Sequence, residues 1–306
     1  MSRPKVAVLV GPTAAGKTAV AVGLALNLGA EIVNADSLQV YRELDIGTAK
    51  PTLEERALVR HHLVDIVNPD EPYDAARYSR DARRAVADLV GRGVPPLVAG
   101  GTGLYIKALL HGLFSEGDVS PDTRARLRQE LSTEGLAGLY ERLGRVDPET
   151  ARRLPPGDTY RILRALEVAA SAGRPMSALL KEHRFRDSPY SVLKIGLNLP
   201  RQELYARIER RVDEMLAAGW LAEVEQLLRR YGAHIKPLKS LGYRHLIAYL
   251  QGDMGWDKAL AQIKQDTRRY AKRQLTWFRG DPEVSWFHPE QSREMLALLE
   301  DFFGRR

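Results

Sequence analysis

The residues best suited to chemistry begin with the octet Gly11-Pro12-Thr13-Ala14-Ala15-Gly16-Lys17-Thr18, which fits the spacing G-x-x-x-x-G-K-[ST] of a phosphate-binding loop. Glycines let backbone N–H groups turn inward around an anion, and the start of a following helix adds partial positive charge. Lys17 offers a mobile cation for the outer phosphates, and the Thr18 hydroxyl can hold Mg²⁺. A second candidate is Asp36, in the stretch Asn34-Ala35-Asp36-Ser37-Leu38-Gln39-Val40-Tyr41. A carboxylate beside bound diphosphate is electrostatically awkward unless it holds Mg²⁺ or acts as a base. The competing reading of Asp-Ser is a helix N-cap. A third is Thr267 to Arg279, with five basic residues, no acid, and Tyr270, Leu275, Trp277 and Phe278 interleaved. On a helix, Arg268 with Lys272 and Arg269 with Arg273 form two adjacent basic rows. That pattern suits a nucleic-acid backbone and exposed bases. The alternative is a surface helix that packs its aromatics inward.

The elements that must position these groups read as α/β. Val6 to Val10 is a buried strand ahead of the loop, and Lys17 to Leu28 a helix closed by Gly29. Glu31 to Asn34 is a second strand, and its carboxyl end places Asp36 beside the loop. His62 to Val67 is expected as a third strand, Tyr73 to Arg92 as an amphipathic helix with a basic outer face, and Pro96 to Ala99 as a fourth strand. His61 and His62 have no partner at metal-ligand spacing and read as structural. The fourth strand runs into Gly100-Gly101-Thr102-Gly103 and carries no terminal acid of the kind hydrolytic ATPases use. The glycine pair is expected to bring backbone, and Thr102 a hydroxyl, close to the ligand.

From 115 to 189 the pattern is helical with no convincing strand, a segment long enough to be an insertion subdomain or lid. Ser120-Pro121 and Asp147-Pro148 mark helix starts. Strand character returns at Val192 to Leu197 as part of a core comprising 1–114 and 190–306. On the helix beginning at Arg201, Arg207 and Arg211 lie one turn apart, either as a solvated stripe paired with Glu203 and Glu209 or as a cation pair for phosphate.

Composition sets bounds. The 306 residues are 44% hydrophobic and 28% charged, with no cysteine and a formal net charge of +7. Disulfides and thiolate metal sites are excluded, and no apolar run suits a membrane span. No signal peptide is expected, and the cytoplasm is the expected compartment.

Taken together, Gly11–Thr18, Asn34–Tyr41, Gly47-Thr48-Ala49-Lys50-Pro51, Gly100–Tyr105, Arg161–Glu167, Lys239-Ser240-Leu241-Gly242-Tyr243-Arg244 and Lys272–Arg279 give an end-to-end resemblance to the bacterial tRNA dimethylallyltransferases (tRNA isopentenyltransferases). The resemblance implies a P-loop NTPase-like parallel sheet flanked by helices, with an all-helical insertion. It also implies dimethylallyl transfer from its diphosphate to the exocyclic amine of the adenine 3′ of the anticodon in tRNA. Asp36 would accept the amine's proton, while Lys17, Arg211, Thr102 and Mg²⁺ on Thr18 would neutralise the leaving diphosphate. The tRNA anticodon stem-loop would meet Asp36, Ser37, Leu38, Gln39, Thr102, Arg124, Tyr160, Arg161, Arg164, Lys239, Ser240, Gly242, Tyr243, Arg244, Lys272 and Arg273. Tyr160 stands where the family carries Gln or Arg, and Leu38 and Leu241 replace common Met and Cys. The zinc extension of eukaryotic relatives is absent. A monomer without membrane partners is expected. The rival readings are an adenylate isopentenyltransferase, a small-molecule P-loop kinase and a nucleotide-dependent RNA-binding switch.

Overall fold

The computed structural model describes residues 3–112, 120–183 and 189–305. In chain order the elements are β1 (Lys5–Val10), α1 (Lys17–Leu28), β2 (Glu31–Asn34), α2 (Leu53–Leu58), β3 (His61–His62), α3 (Ala75–Gly91), β4 (Pro96–Gly100) and α4 (Gly103–His111). There follow α5 (Pro121–Val146), α6 (Pro148–Arg153), α7 (Thr159–Ala172) and α8 (Met176–His183). The chain continues through β5 (Ser191–Leu197), α9 (Arg201–Ala217), α10 (Trp220–Tyr231), α11 (Tyr243–Leu250), α12 (Trp256–Arg279), β6 (Val284–Phe287) and α13 (Ser292–Phe303).

Residues 1–110 and 189–306 form one unit and 111–188 a second. The first is built on a six-stranded sheet of order β3-β2-β4-β1-β5-β6, with every pairing parallel. Strands buried on both faces must read as near-continuous apolar runs, and Val6 to Val10 do: each is at most 1% exposed. Helices cover both faces. One core gathers α3, α4, α10 and α11 side chains, the other α1, α9 and α13. With β1 central and its neighbours β4 and β5 entered from opposite directions along the chain, the crevice at the strands' carboxyl ends is the natural ligand site.

Two expectations change. The third strand is only His61–His62, because Leu63 and Asp65 take left-handed φ values of 63° and 56° and turn the chain out of the sheet. His62 meets Glu31 at 2.6 Å instead of a metal. The sheet also gains β6, an edge strand absent from the sequence reading, and Lys194 of β5 is buried against Asp281 (2.7 Å) and Glu283 (2.8 Å) just before it.

The second unit is helical throughout its described residues, as its periodicity requires. The expected first boundary of the insertion, at 114/115, falls outside the described residues. Its helices surround Leu139, Leu143, Ile162 and Ala165, all fully buried. Asp147 is its polar centre. Its Oδ1 accepts from the Thr150 amide (3.0 Å) and the Ser177 hydroxyl (2.6 Å), and its Oδ2 from the Thr150 hydroxyl (2.7 Å) and the Ser177 amide (2.9 Å). These four donors hold its carboxyl below the usual range despite burial.

Candidate active site

The phosphate loop is built by three turns of the backbone away from ordinary conformations. Gly11 has φ 151° and lies against Leu197, where an added Cβ would meet the carbonyl oxygen at 2.9 Å. Ala14 sits at φ 63° and Gly16 at φ 86°, so the chain curls before α1 begins. Lys17 reaches back across this curl, its Nζ donating to the Pro12 carbonyl at 2.8 Å. Behind the loop, Gly29 closes α1 in the left-handed region, with its N–H on Ala25 and Leu26.

The loop opens into a cavity of about 970 Å³ in the first unit. Thr13, Ala14, Gly16, Lys17 and Thr18 line it from one side, and Asp36 and Gln39 from another. Arg211 and Met215 of α9 and Tyr270 and Gln274 of α12 complete the walls near the loop. Burial and the Arg211 guanidinium push the Lys17 ammonium down to about 8, against the opposing pull of Asp36. Burial lowers Arg211 as well, again opposed by Asp36. Arg211 Nη1 lies 3.4 Å from the Thr13 hydroxyl. Among the described residues, neither cation has a carboxylate within ion-pair distance. Burial, with Asp36 nearby, pushes the Tyr270 phenol up, so it stays neutral. The choice posed for the α9 arginines is therefore split: Arg211 faces the cavity, and Arg207 pairs with Glu203 at 2.8 Å.

Asp36 is fixed by a turn of its own backbone. Its Oδ1 accepts from the amides of Leu38 (2.8 Å) and Gln39 (3.3 Å), an Asx turn that fixes the side chain. Among the described residues its Oδ2 accepts nothing. Gln39 is committed elsewhere, donating to the carbonyls of Thr48 and Ala49 at 3.0 Å each. Glu223 in turn holds loop 45–47. It accepts from the amides of Asp45 (2.9 Å), Ile46 (2.7 Å) and Gly47 (3.1 Å) and from the Tyr243 hydroxyl (2.7 Å).

In the glycine stretch 100–103, Gly100 lines the cavity as expected, and the glycines also admit other protein groups to close range. A Cβ on Gly100 would lie 2.3 Å from the Ala35 carbonyl, and one on Gly103 would lie 2.2 Å from the Trp277 indole nitrogen. The Thr102 amide donates to Ala35 (3.1 Å), and its hydroxyl accepts from the Ser37 amide (3.1 Å). Thr102 thus steadies the Asp36 segment and is not on the cavity wall.

The sequence model of the IPP transferase family matches residues 39–281, and that of the isopentenyl transferases matches residues 4–69. This chain belongs to the IPP transferase family. A tRNA dimethylallyltransferase of Syntrophobacter fumaroxidans is 54% identical over 96% of this chain and 86% of its own length. The crystal structure of a full-length tRNA isopentenylpyrophosphate transferase from Bacillus halodurans superposes with a TM-score of 0.75 at 36% identity, over 99% of this chain and 97% of that one. A eukaryotic dimethylallyltransferase captured acting on tRNA gives 0.85 at 27% identity, over 99% and 80%. The fold of this IPP transferase is accordingly P-loop NTPase-like.

The residues expected at RNA divide by exposure. Lys272 and Arg273 are exposed on α12, with Arg273 over the Tyr270 ring at 5.7 Å. Arg244 is exposed and pairs with Asp266 at 2.6 Å. In the second unit Tyr160 is 79% exposed at the start of α7, beside Arg161, which pairs with Asp158. Arg124 and Arg164 both lie against Glu167, at 3.9 and 3.0 Å. Lys239 is exposed and Ser240 half-buried, and Ser37 and Leu38 are half-buried beside Asp36. Gly242 and Tyr243 are different. Tyr243 is fully buried with its hydroxyl on Glu223, and a Cβ on Gly242 would strike the Trp220 ring at 2.2 Å. They are reassigned from RNA contact to packing. Glu223 and Gln274 have no role in the sequence reading, and Tyr270 appears there only among the aromatics of the basic stretch, open between contact with RNA and inward packing. The structure puts Tyr270 and Gln274 on the cavity wall.

Proposed function

We propose that this enzyme transfers a dimethylallyl group from dimethylallyl diphosphate to N6 of the adenine immediately 3′ of the anticodon, position 37, in tRNAs that read codons starting with U. It is a prenyl-transferring tRNA-modifying enzyme, as its relatives are named. One observation carries the chemistry: half-buried Lys17 and Arg211 stand beside the phosphate loop with no carboxylate at ion-pair distance among the described residues, in the same cavity as the free oxygen of Asp36.

The residues then act as follows. Diphosphate enters the loop, and the Lys17 ammonium leaves the Pro12 carbonyl for the anion. Lys17 and Arg211 stabilise charge growing on the bridging oxygen as the allylic C–O bond breaks. An allylic carbon tolerates cationic character, so bond breaking can lead. The adenine amine is a weak nucleophile because its lone pair is delocalised into the ring. Asp36 Oδ2 takes the N6 proton as the N–C bond forms, leaving diphosphate and the modified base. The base must leave its stack to reach the cavity. Mg²⁺ would be held chiefly through the oxygens of the diphosphate it accompanies. Thr18 would contribute its hydroxyl to that ion, which would supply further neutralisation of the diphosphate. Lys272, Arg273, Arg244, Lys239, Arg124, Arg161 and Arg164 would hold RNA phosphates.

The test is incubation with dimethylallyl diphosphate labelled in the prenyl group, an anticodon stem-loop and ATP as competitor. Label is expected in the RNA, with ATP failing to compete. ATP displacing the donor, or phosphate appearing on an acceptor, would return the kinase reading.

A further inference from the structure

The buried carboxamide of Gln274 has no part in the chemistry above, yet it touches both strand-end loops of the site. Gln274 is 6% exposed, and its Oε1 accepts from the Thr13 amide at 2.8 Å. Its Nε2 donates to the Gly101 carbonyl at 2.9 Å. We propose that Gln274 is a positioning residue that sets the shape of the phosphate loop for its anion and locks it to the segment carrying Asp36. This rests on the reading of the loop as a diphosphate cradle.

The argument starts from the backbone. Amides of a phosphate loop converge on the anion, and an amide given to Gln274 is withheld from it. That bond fixes the Thr13 peptide and with it the hydroxyl lying 3.4 Å from Arg211. The next residue, Ala14, holds φ 63°, a conformation a side-chain-bearing residue keeps only when its surroundings impose it. Gln274 supplies that restraint from α12. At its other end, a Cβ on Gly101 would lie 2.3 Å from Gln274 Nε2, so glycine is needed there for the carboxamide to approach. The Gly101 carbonyl adjoins Thr102, whose amide and hydroxyl grip Ala35 and Ser37. One side chain therefore ties the donor's cradle to the acceptor's base. It does so from a helix whose exposed neighbours, Lys272 and Arg273, face outward.

Two variants of the full chain test this. Gln274→Ala removes both bonds. Gly101→Ala pushes the carboxamide away without altering α12. Each is expected to weaken pyrophosphate binding by calorimetry, and to raise KM for dimethylallyl diphosphate, by about tenfold, the scale of a lost buried hydrogen bond. The stem-loop Kd should stay within about twofold and kcat should fall less than KM rises. If Gln274→Ala does not fold, Gln274→Met fills the same volume without either bond and takes its place. The proposal is overturned if the folded variants bind pyrophosphate as the wild type does, or if stem-loop affinity falls in step with donor affinity. Failure of the wild-type chain to bind pyrophosphate would instead remove the diphosphate reading, and this inference with it.

Discussion

The cations of the cavity and those of the exposed helix faces are the same residue types under opposite rules. Lys17 and Arg211 are half-buried in the cavity wall, their protonated forms are disfavoured, and no carboxylate pairs with them among the described residues. On α7, α11 and α12 nearly every arginine expected at RNA keeps a local acid: Arg161 with Asp158, Arg164 with Glu167, Arg244 and Arg269 with Asp266, and Arg268 with Glu209. Burying a cation unpaired is costly, so such a site is stable only in anticipation of an anion. Exposed pairs cost little to open and contribute little individually. The cavity pair is thus expected to be indispensable and the exposed set collectively redundant.

That contrast can be broken at several points. The largest effect is expected at the base: Asp36→Asn keeps an oxygen for the Leu38 and Gln39 amides but cannot take a proton, and should lower kcat by about 10²–10⁴. Stem-loop affinity should be unchanged in a filter-binding assay, and an active Asp36→Asn enzyme would remove the assignment. Next, Arg211→Gln should cost about 10²-fold in kcat/KM, a loss typical for one charge-stabilising donor. A smaller loss would mean that Lys17 alone carries the diphosphate.

Lys17 gives a pH signature. Its folded value of about 8 lies below the ordinary 10.5, so between these the unfolded chain binds more protons and stability rises with pH. Donor binding runs the other way, because the anion needs the ammonium. Pyrophosphate affinity should fall by up to about tenfold per pH unit above 8, with proton uptake visible when calorimetry is repeated in buffers of different ionisation enthalpy. A flat profile would place Lys17 off the anion. The smallest effect is expected on the exposed side. Lys272→Ala with Arg273→Ala should weaken stem-loop binding modestly and reduce the slope of log K against log salt by about 1–2, with KM for the donor unchanged. An unaltered slope would turn that face away from RNA.

Much of this site could be read in the sequence because its signals are local. The phosphate loop is eight consecutive residues, Asp36 follows a strand by two positions, and the helical unit announces itself through Ser120-Pro121 and Asp147-Pro148. What escaped depends on long separations. Gln274 bonds Thr13 across 261 positions, and no periodicity encodes that. The strand β6 is four residues long at a sheet edge, with only Val284 buried, too short for alternation to register. Tyr243 stands among the RNA contacts that the resemblance implies because its burial is decided by Trp220 and Glu223, more than a helix away in sequence. The glycines of 100–103 were recognisable as places of close approach, but only the folded chain reveals what approaches.

The clamp of Glu223 on loop 45–47 has a consequence for anyone wishing to transplant this chemistry. A graft of residues 36–51 onto another α/β scaffold would arrive with three backbone amides stripped of their acceptor, and with Gly47 lacking the indole that fills the space above it. The minimal portable module therefore includes Trp220, Glu223 and Tyr243, a discontinuous set that a designer working from consecutive motifs would leave behind.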